Sequence, residues 1–452
     1  MNTNDFIQGK LFSGKDLRKL IIPLLFEQTL AISVGMVDTM MISSVGEAAV
    51  SGVSLVDMVN NFIISALAAL ATGGAVVTSQ FIGAGKPKEA CKSAKQLIVS
   101  VSVLTVFVAL FVIVFQKWIL LLFFGKIESD VFYNASVYLI ISALSFPFMA
   151  LYNSCAALFR SMGNSKITLE VSVLMNIINV IGNAICIYGF RMGAAGVAIP
   201  SLVSRAVAAV ILYMLLKNPK YLIHLDKEKF HVEWQLIRRI FYIGIPGGIE
   251  NGLFQLGRVL VVSIIAGFGT VQIAANGVAN SLDAMGCIVG QAMSLAMITV
   301  IGRCVGANDI GQIKYYTKRL MTQTYLYTAI VNIIILSTLP WSLRLYGLSP
   351  ETTRLAYILV MIHDGTAIFL WPASFVLPNM LRACNDVKYT MVLSILSMVI
   401  LRIGLSIVIG IYMGYGAIGV WCAMVIDWIF RVSCFVGRYI SGAWKKKLQI
   451  LE

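Results

Sequence analysis

The sequence predicts an all-α, polytopic membrane protein with twelve transmembrane helices, and three observations support this fold class. Of the 452 residues, 59% are hydrophobic and 12% are charged, and the mean hydropathy is +0.86. Soluble domains are closer to half apolar and a quarter charged. The apolar runs show no period-2 alternation and far exceed the roughly 10 residues of a barrel strand. Twelve such runs occur, each long enough to cross a bilayer as a helix.

The positively charged residues predict how these segments are oriented. On the side of the N-terminus lie 26 lysines and arginines, whereas five lie on the opposite side and four within segments. Cytoplasmic loops are enriched in both residue types, so both termini are predicted to be cytoplasmic. The net charge of +14 is then a consequence of topology, and nucleic acid is not expected as a partner. The segments lie near residues 18–45, 50–82, 94–116, 131–159, 165–189, 194–216, 240–268, 271–303, 317–340, 353–381, 388–412 and 415–437.

Short motifs give little support to catalysis or to a bound cofactor. The eight cysteines are scattered without a C-x-x-C pair, and the three histidines do not cluster along the chain. No phosphate-binding glycine loop is present. The polar stretch Met1 to Lys19 precedes an apolar run that is too long for a signal peptide, so no removable signal is expected. We predict that the chain is not an enzyme and has no cofactor.

The second half of the chain repeats the first. Because each copy holds six segments, the copies are predicted to be parallel and related by an axis along the membrane normal. This predicts an N-lobe (1–216), a basic cytoplasmic linker (217–239) and a C-lobe (240–452) around a central cleft suited to alternating access. The aligned pairs include Pro23 and Pro246, Glu27 and Glu250, Gly46 and Gly269, Gly83 and Gly306, and Arg160 and Arg382.

Polar side chains gather at one depth in the outer half of the N-lobe. An ionisable residue inside a membrane segment is a functional candidate by default, because burying its charge is costly. Hard oxygen ligands suit Na⁺, and a desolvated carboxylate can instead take up H⁺. The alternative is a network of structural hydrogen bonds between helices. The candidates for coupling to a cation are Asp38, Asp57, Asn179, Asn183 and Ser201, with Asp38, Asn179 and Asn183 as possible Na⁺ ligands.

Other embedded charges have simpler predicted partners. Arg258 and Asp283 share a depth on consecutive segments, which predicts a structural ion pair. Arg402 and Asp427 also share a depth, and Arg431 lies one turn from Asp427 on the same segment. We expect structural pairs at both places.

The inner half of the spans and the tenth segment supply candidates for the cleft. Glu27 and Glu250 occupy the same repeat position, where they can anchor pseudo-symmetric packing or face cationic ligands. Asp364, beside His363, is a candidate for ion or substrate contact, and Gln255 is a further cleft candidate.

Several longer motifs resemble the multidrug and toxic compound extrusion (MATE) family over nearly the whole chain. The family exports cationic, amphiphilic small molecules in exchange for Na⁺ or H⁺, so the resemblance implies a monomeric antiporter of the bacterial cytoplasmic membrane. The motifs are P-x(14)-D-T-x-x-x-S from Pro23, Q-F-I-G-A-G from Gln80, L-F-R-S-M-G-N-S from Leu158, N-V-I-G-N-A-I-C-I-Y-G from Asn179, M-G-A-A-G-V-A-I from Met192, F-G-T-V-Q-I-A-A-N from Phe268 and L-R-A-C-N-D-V from Leu381.

The N-lobe resembles the DinF-like branch of that family. Asp38 matches the aspartate of the branch's first helix, and Asn179 matches its fifth-helix asparagine. Asn183 stands where the branch commonly has a second aspartate, and Ser201 stands where it has a threonine.

The C-lobe departs from the NorM-like branch, whose acids on helices seven and ten fall near Gln255 and Trp371 here. Neither residue is acidic, although Glu250 and Asp364 lie one to two turns away. A second interpretation is a lipid-linked oligosaccharide flippase of the same superfamily. Such proteins often carry two further helices and a cation-lined cavity.

Overall fold

A computed structural model describes residues 10–125, 128–225 and 230–451, and it contains only helices and short connections within those ranges. Lys126 and residues 226–229 of the predicted linker, which enter the charge count, lie outside the described residues, as does the leader before residue 10. The helices are α1 (Gly14–Ser43), α2 (Glu47–Gly83), α3 (Pro87–Phe124), α4 (Ser129–Ser161), α5 (Ser165–Ala184), α6 (Ala195–Leu216), α7 (Trp234–Ala266), α8 (Thr270–Gly286), α9 (Ile288–Gly306), α10 (Ile310–Leu345), α11 (Pro350–Trp371), α12 (Leu377–Ala383), α13 (Val387–Leu396) and α14 (Gly416–Ser441).

Twelve helical spans in the described residues are long and apolar enough to cross a membrane, which confirms the predicted fold class. The eighth predicted segment is divided at Cys287 into α8 and α9. In the tenth span a π-helical turn, Pro372–Val376, joins α11 to α12. Proline has no backbone N–H to donate, so a local change of helical register at Pro372 is expected.

Matching left-handed turns show the repeat at the level of the backbone. Gly85 has φ of 68°, and its counterpart in the second half, Asn308, has φ of 54°. Gly163 has φ of 79°, and its counterpart, Asn385, has φ of 65°. Glycine and asparagine are the residues that tolerate this conformation best. The C-lobe therefore keeps the turn geometry with asparagine where the N-lobe uses glycine.

The packing of α1 and α7 crosses the predicted division between lobes. We call the face at which α1 begins the inner face and the opposite one the outer face. Leu17 and Leu24, in the inner half of α1, are buried in a core built mainly from α9, α10 and α12. Met41, in its outer half, is buried among N-lobe helices. In the same way, Ile240 at the inner end of α7 packs into the N-lobe core, whereas Ile265 at its outer end belongs to the C-lobe.

The inner face is closed by a pseudo-symmetric contact between the ends of α2 and α9. A Cβ added to Gly83 would overlap the Arg303 carbonyl oxygen, and one added to Gly306 would overlap the Gln80 carbonyl oxygen. The two glycines are counterparts in the repeat, and so are the two residues that supply the carbonyls. The Gln80 side chain also donates to the Asn385 side chain at 3.0 Å. The two lobes thus meet tightly at this face.

Candidate functional site

A chain of hydrogen bonds connects α1, α5 and α6 in the outer half of the N-lobe. Asn183 Nδ2 donates to Asp38 Oδ1 at 2.7 Å and lies 3.4 Å from Asn179 Oδ1. Asn179 Nδ2 donates to Ser201 Oγ at 2.9 Å. The fifth-helix asparagines face the same way because they are four residues apart. Four of the five predicted coupling residues are therefore brought together.

Asp57 lies beside this chain of bonds without joining it. Its Oδ1 accepts a hydrogen bond from the Tyr138 hydroxyl of α4 at 3.0 Å. Asp57 and Arg205 are charged neighbours of Asp38 that are not hydrogen-bonded to it. The Arg205 Nη1 donates to Ser145 Oγ at 2.7 Å, and among the described residues no arginine forms an ion pair with Asp38. Sequence reasoning missed Tyr138 because nothing in its neighbourhood along the chain marks it as a partner.

The N-lobe site has oxygen atoms that are free to bind a cation or a proton. Asn183 is fully buried, and its Oδ1 has no hydrogen-bond partner among the described residues. Asp38 is half-buried, so it remains reachable from outside the protein interior. One carboxylate with neighbouring amide oxygens can hold a small hard cation such as Na⁺, or the carboxylate can hold H⁺. Asp38, Asn179 and Asn183 are the residues that would do so.

A second polar cluster, Asp283, His363 and Asp364, is buried in the C-lobe. His363 Nδ1 lies 2.7 Å from Asp364 Oδ1 and 3.3 Å from Asp283 Oδ1. The three side chains offer ligand atoms within 4.8 Å of one another, so they can also hold a cation or share protons. The sequence shows His363 and Asp364 side by side, but it does not show that they meet Asp283, which belongs to an earlier span.

One predicted pairing in the C-lobe is wrong. Arg258 influences Asp283 only through space, and no ion pair joins them among the described residues, because equal depth does not fix the face of a helix. Arg431, one turn from Asp427 on the same helix, approaches Glu250 at 3.9 Å. The predicted pair of Arg402 and Asp427 is present at 4.0 Å.

A cavity of about 520 Å³ lies between the lobes and contains three of the four cleft candidates. Glu27 pairs with Arg160 at 3.4 Å and accepts a hydrogen bond from the Thr168 hydroxyl. Glu250 pairs with Arg382 at 2.7 Å, and Gln255 Nε2 donates to Ser65 Oγ at 3.3 Å. The fourth candidate, Asp364, is fully buried in the C-lobe cluster and does not line this cavity.

Twelve spans in two repeats around a polar cavity define a membrane transporter. The MatE family model matches residues 23–185 and 246–408, one match in each repeat. The chain belongs to this multidrug and toxic compound extrusion family, whose members are transporters and not enzymes. The match does not favour the flippase interpretation.

Known relatives cover nearly the whole chain. An uncharacterized transporter, YisQ, from Bacillus subtilis is 27% identical over 443 residues, covering 95% of each chain. A probable multidrug resistance protein, NorM, from Thermotoga maritima is 25% identical over 447 residues, covering 96% of this chain and 93% of its own.

Solved structures share the fold. An outward-facing MATE family transporter of the MOP superfamily superposes with a TM-score of 0.86 at 19% identity, covering 96% of both chains. A MOP superfamily transporter from Pyrococcus furiosus, described as having a binding pocket of reverse polarity, superposes with a TM-score of 0.85 at 18% identity. It covers 95% of this chain and 96% of its own.

Proposed function

We propose that this protein is a secondary antiporter that exports amphiphilic small molecules in exchange for Na⁺ or H⁺, with Asp38 as the coupling residue. The observation that carries the proposal is an embedded acid that is hydrogen-bonded to Asn183 at 2.7 Å and forms no ion pair with any arginine among the described residues. The unpartnered Asn183 carbonyl oxygen beside it is a further ligand for a cation. The multidrug resistance relatives support a small-molecule substrate, and its amphiphilic character is implied by the resemblance alone. The cationic charge implied by the resemblance stays a prediction.

The packing of α1 supports a route from cation binding to movement. Its outer half carries Asp38 among N-lobe helices, whereas Leu17 and Leu24 in its inner half pack in the C-lobe core. Neutralising Asp38 would change what holds the outer half, while the inner half stays attached to the other lobe. Coupling further requires that cation and substrate favour different states, because a ligand with equal affinity for both states shifts neither. In this proposal the inner face is the cytoplasmic face, as the charge distribution predicts.

The test is transport by Asp38→Asn in proteoliposomes under separate Na⁺ and pH gradients. Ethidium and dansylglycine serve as cationic and anionic fluorescent probes, and the measurement uses whichever of them the unmodified protein exports. We expect gradient-driven export to fall to background in the variant, because asparagine cannot exchange a charge. The gradient that drives the unmodified protein identifies the coupling ion.

Asp283→Asn provides the matched control, since it removes an embedded acid from the other lobe. We expect it to leave the dependence of export on the gradient unchanged. Coupled export that survives Asp38→Asn and disappears in Asp283→Asn would place the coupling site in the C-lobe and overturn the proposal.

A further inference from the structure

The charged residues that line the central cavity do not balance. Of the residues that the structure describes, two glutamates and three arginines line it. Glu27 and Arg160 compensate each other at 3.4 Å, and Glu250 and Arg382 do so at 2.7 Å. Arg431 is the third arginine and has no glutamate of its own among the described lining residues; the buried Asp427, one turn away on α14, lies close to it but outside that lining.

Arg431 lies at the cavity wall, and two of its guanidinium nitrogens have no hydrogen-bond partner among the described residues. Its side chain is 3% exposed, and its guanidinium carbon lies 4.7 Å from the Phe375 ring centroid and 5.6 Å from that of Phe435. Its Nε and Nη1 have no hydrogen-bond partner among the residues that the structure describes. The nearest carboxylate oxygen, on Glu250, is 3.9 Å away, which is beyond hydrogen-bond distance. A buried charged donor without a partner is costly, so a ligand that supplies acceptors at this point is favoured.

The rest of the cavity suits the apolar part of such a ligand. Phe254, Trp371 and Phe375 line the same wall, with ring centroids of Trp371 and Phe375 at 4.9 Å. A flat or aromatic body can stack against this surface while its polar group reaches the guanidinium. The N-lobe has no counterpart of Arg431, since the corresponding stretch of the sixth span, residues 208–210, is apolar.

We propose that the central cavity binds amphiphiles through an anionic oxygen group, a carboxylate or a phosphate, placed against Arg431. The inference rests on the proposed transport function and names the substrate class of its cavity. A planar guanidinium with free N–H groups matches the two oxygens of such a group. Both glutamates in the cavity lining are already paired with arginines, so a purely cationic substrate meets no free carboxylate among the described lining residues.

The experiment measures equilibrium binding of four dansyl probes to the purified protein without any gradient. The anionic probes are dansylglycine and dansylaminoethyl phosphate, the neutral probe is dansylglycine methyl ester, and the cationic probe is dansylaminoethyl-trimethylammonium. We expect the better anionic probe to bind about tenfold or more tightly than the ester and the cation, as one charge-assisted bidentate contact provides. Comparing the carboxylate with the phosphate identifies the preferred group.

Variants then assign that preference to one side chain. Arg431→Gln is expected to bring the affinity ratio of anion to ester close to one. Arg431→Lys, which keeps the charge and loses the planar fork, is expected to keep only part of the ratio and serves where Arg431→Gln does not fold. Arg402→Gln, which removes a buried arginine of the same lobe outside this cavity, is expected to leave the ratio unchanged.

Three results would each overturn the inference. They are a cation preference in the unmodified protein, an anion preference that survives at full size in folded Arg431→Gln or Arg431→Lys, and equal losses in the Arg431 and Arg402 variants. Because binding is measured without a gradient, such a result leaves the role of Asp38 standing. Conversely, coupled export that survives Asp38→Asn would leave the anion preference standing.

Discussion

The two lobes follow one backbone plan and place their ionisable groups at different points of it. In the register that pairs Pro23 with Pro246, Asp38 of the N-lobe aligns with Val261, and Asp283 of the C-lobe aligns with Asn60. The N-lobe cluster has a half-buried acid, Asp38, bonded to the Asn183 amide, whereas the C-lobe cluster has two buried acids around a histidine. The repeat therefore specifies where helices lie, and the polar chemistry of each lobe is set independently by single residues.

This difference suggests different tasks for the two clusters. A half-buried carboxylate with unused oxygen neighbours is suited to exchange a cation in each cycle. A fully buried group of two carboxylates and a histidine is shielded from water, and it favours a retained proton or cation that holds α8 against α11. The difference is consistent with the proposal that coupling takes place in the N-lobe.

The largest expected effect on transport tests the symmetry of the inner face. Gly83→Val and Gly306→Val each place a side chain on a carbonyl oxygen of the opposite lobe. Overpacking of this kind costs about 1–3 kcal/mol, which shifts a two-state equilibrium by roughly 5- to 150-fold. We expect both variants to open the inner face and to reduce transport to a similar extent.

The measurement is the distance between spin labels at exposed positions 88 and 314, in a background without reactive cysteines. Gly277→Val is the matched control, because a Cβ at Gly277 meets nothing within 4 Å. An unchanged distance in both inner-face variants, or an effect of only one of them, would show that the inner contact is not symmetric.

The next prediction concerns stability, and it compares the two ion pairs of the cavity. Glu250→Gln leaves both Arg382 and the buried Arg431 without their carboxylate, whereas Glu27→Gln leaves only Arg160. Removing one partner of a buried pair costs about 3–5 kcal/mol. We expect a loss in that range for Glu250→Gln and a smaller one for Glu27→Gln, because the second change leaves one arginine without its carboxylate and the first leaves two.

Thermal and denaturant unfolding in detergent measure this difference. Glu250→Gln combined with Arg382→Gln is expected to recover part of the lost stability, because the double change removes one of the two stranded charges. Equal losses of stability in the two glutamate variants would mean that the approach of Arg431 to Glu250 adds nothing to the stability that the Glu250–Arg382 pair provides.

The smallest effect concerns the inner turns at which α3 and α10 begin. Asp309 caps α10 by accepting from the Gln312 backbone N–H at 2.9 Å, whereas Lys86 at the matching position of α3 provides no side-chain cap. Asp309→Ala should cost about 1 kcal/mol, and Lys86→Ala close to nothing. The Gln312 backbone N–H and side chain hold the pKa of the Asp309 carboxyl below its usual range. Its contribution is therefore present above the unfolded pKa and is lost as the pH falls through the folded pKa.

Unfolding of both variants at neutral and acidic pH checks this expectation. A loss in Asp309→Ala that is the same at both pH values would contradict the capping role of the ionised carboxylate.

Much of the fold and part of the site could be predicted because both depend on patterns along the chain. Hydropathy reveals the spans, and the match between Pro23 and Pro246 reveals the repeat. The i, i+4 spacing places Asn179 and Asn183 on one face of α5, where the structure has them beside Asp38.

The remainder depends on how each helix is rotated about its axis and on which helices pack together. Counting residues along the chain gives neither. Counting residues from a turn gives the depth of Asp283 but not the direction of its side chain, so sequence reasoning pairs it with Arg258 instead of His363. Likewise, the approach of Arg431 to Glu250 joins α14 to α7, two helices far apart in the sequence.

The exchange of inner helix halves between the lobes has a consequence for how the protein is made. When the first six spans have entered the membrane, the inner half of α1 still lacks α9, α10 and α12, which later bury Leu17 and Leu24. The inner end of α7, with Ile240, is in turn required to complete the core of the first six spans. Neither half therefore has its full set of packing partners by itself, so we expect the inner ends of α1 and α7 to settle only after spans of both halves have been inserted.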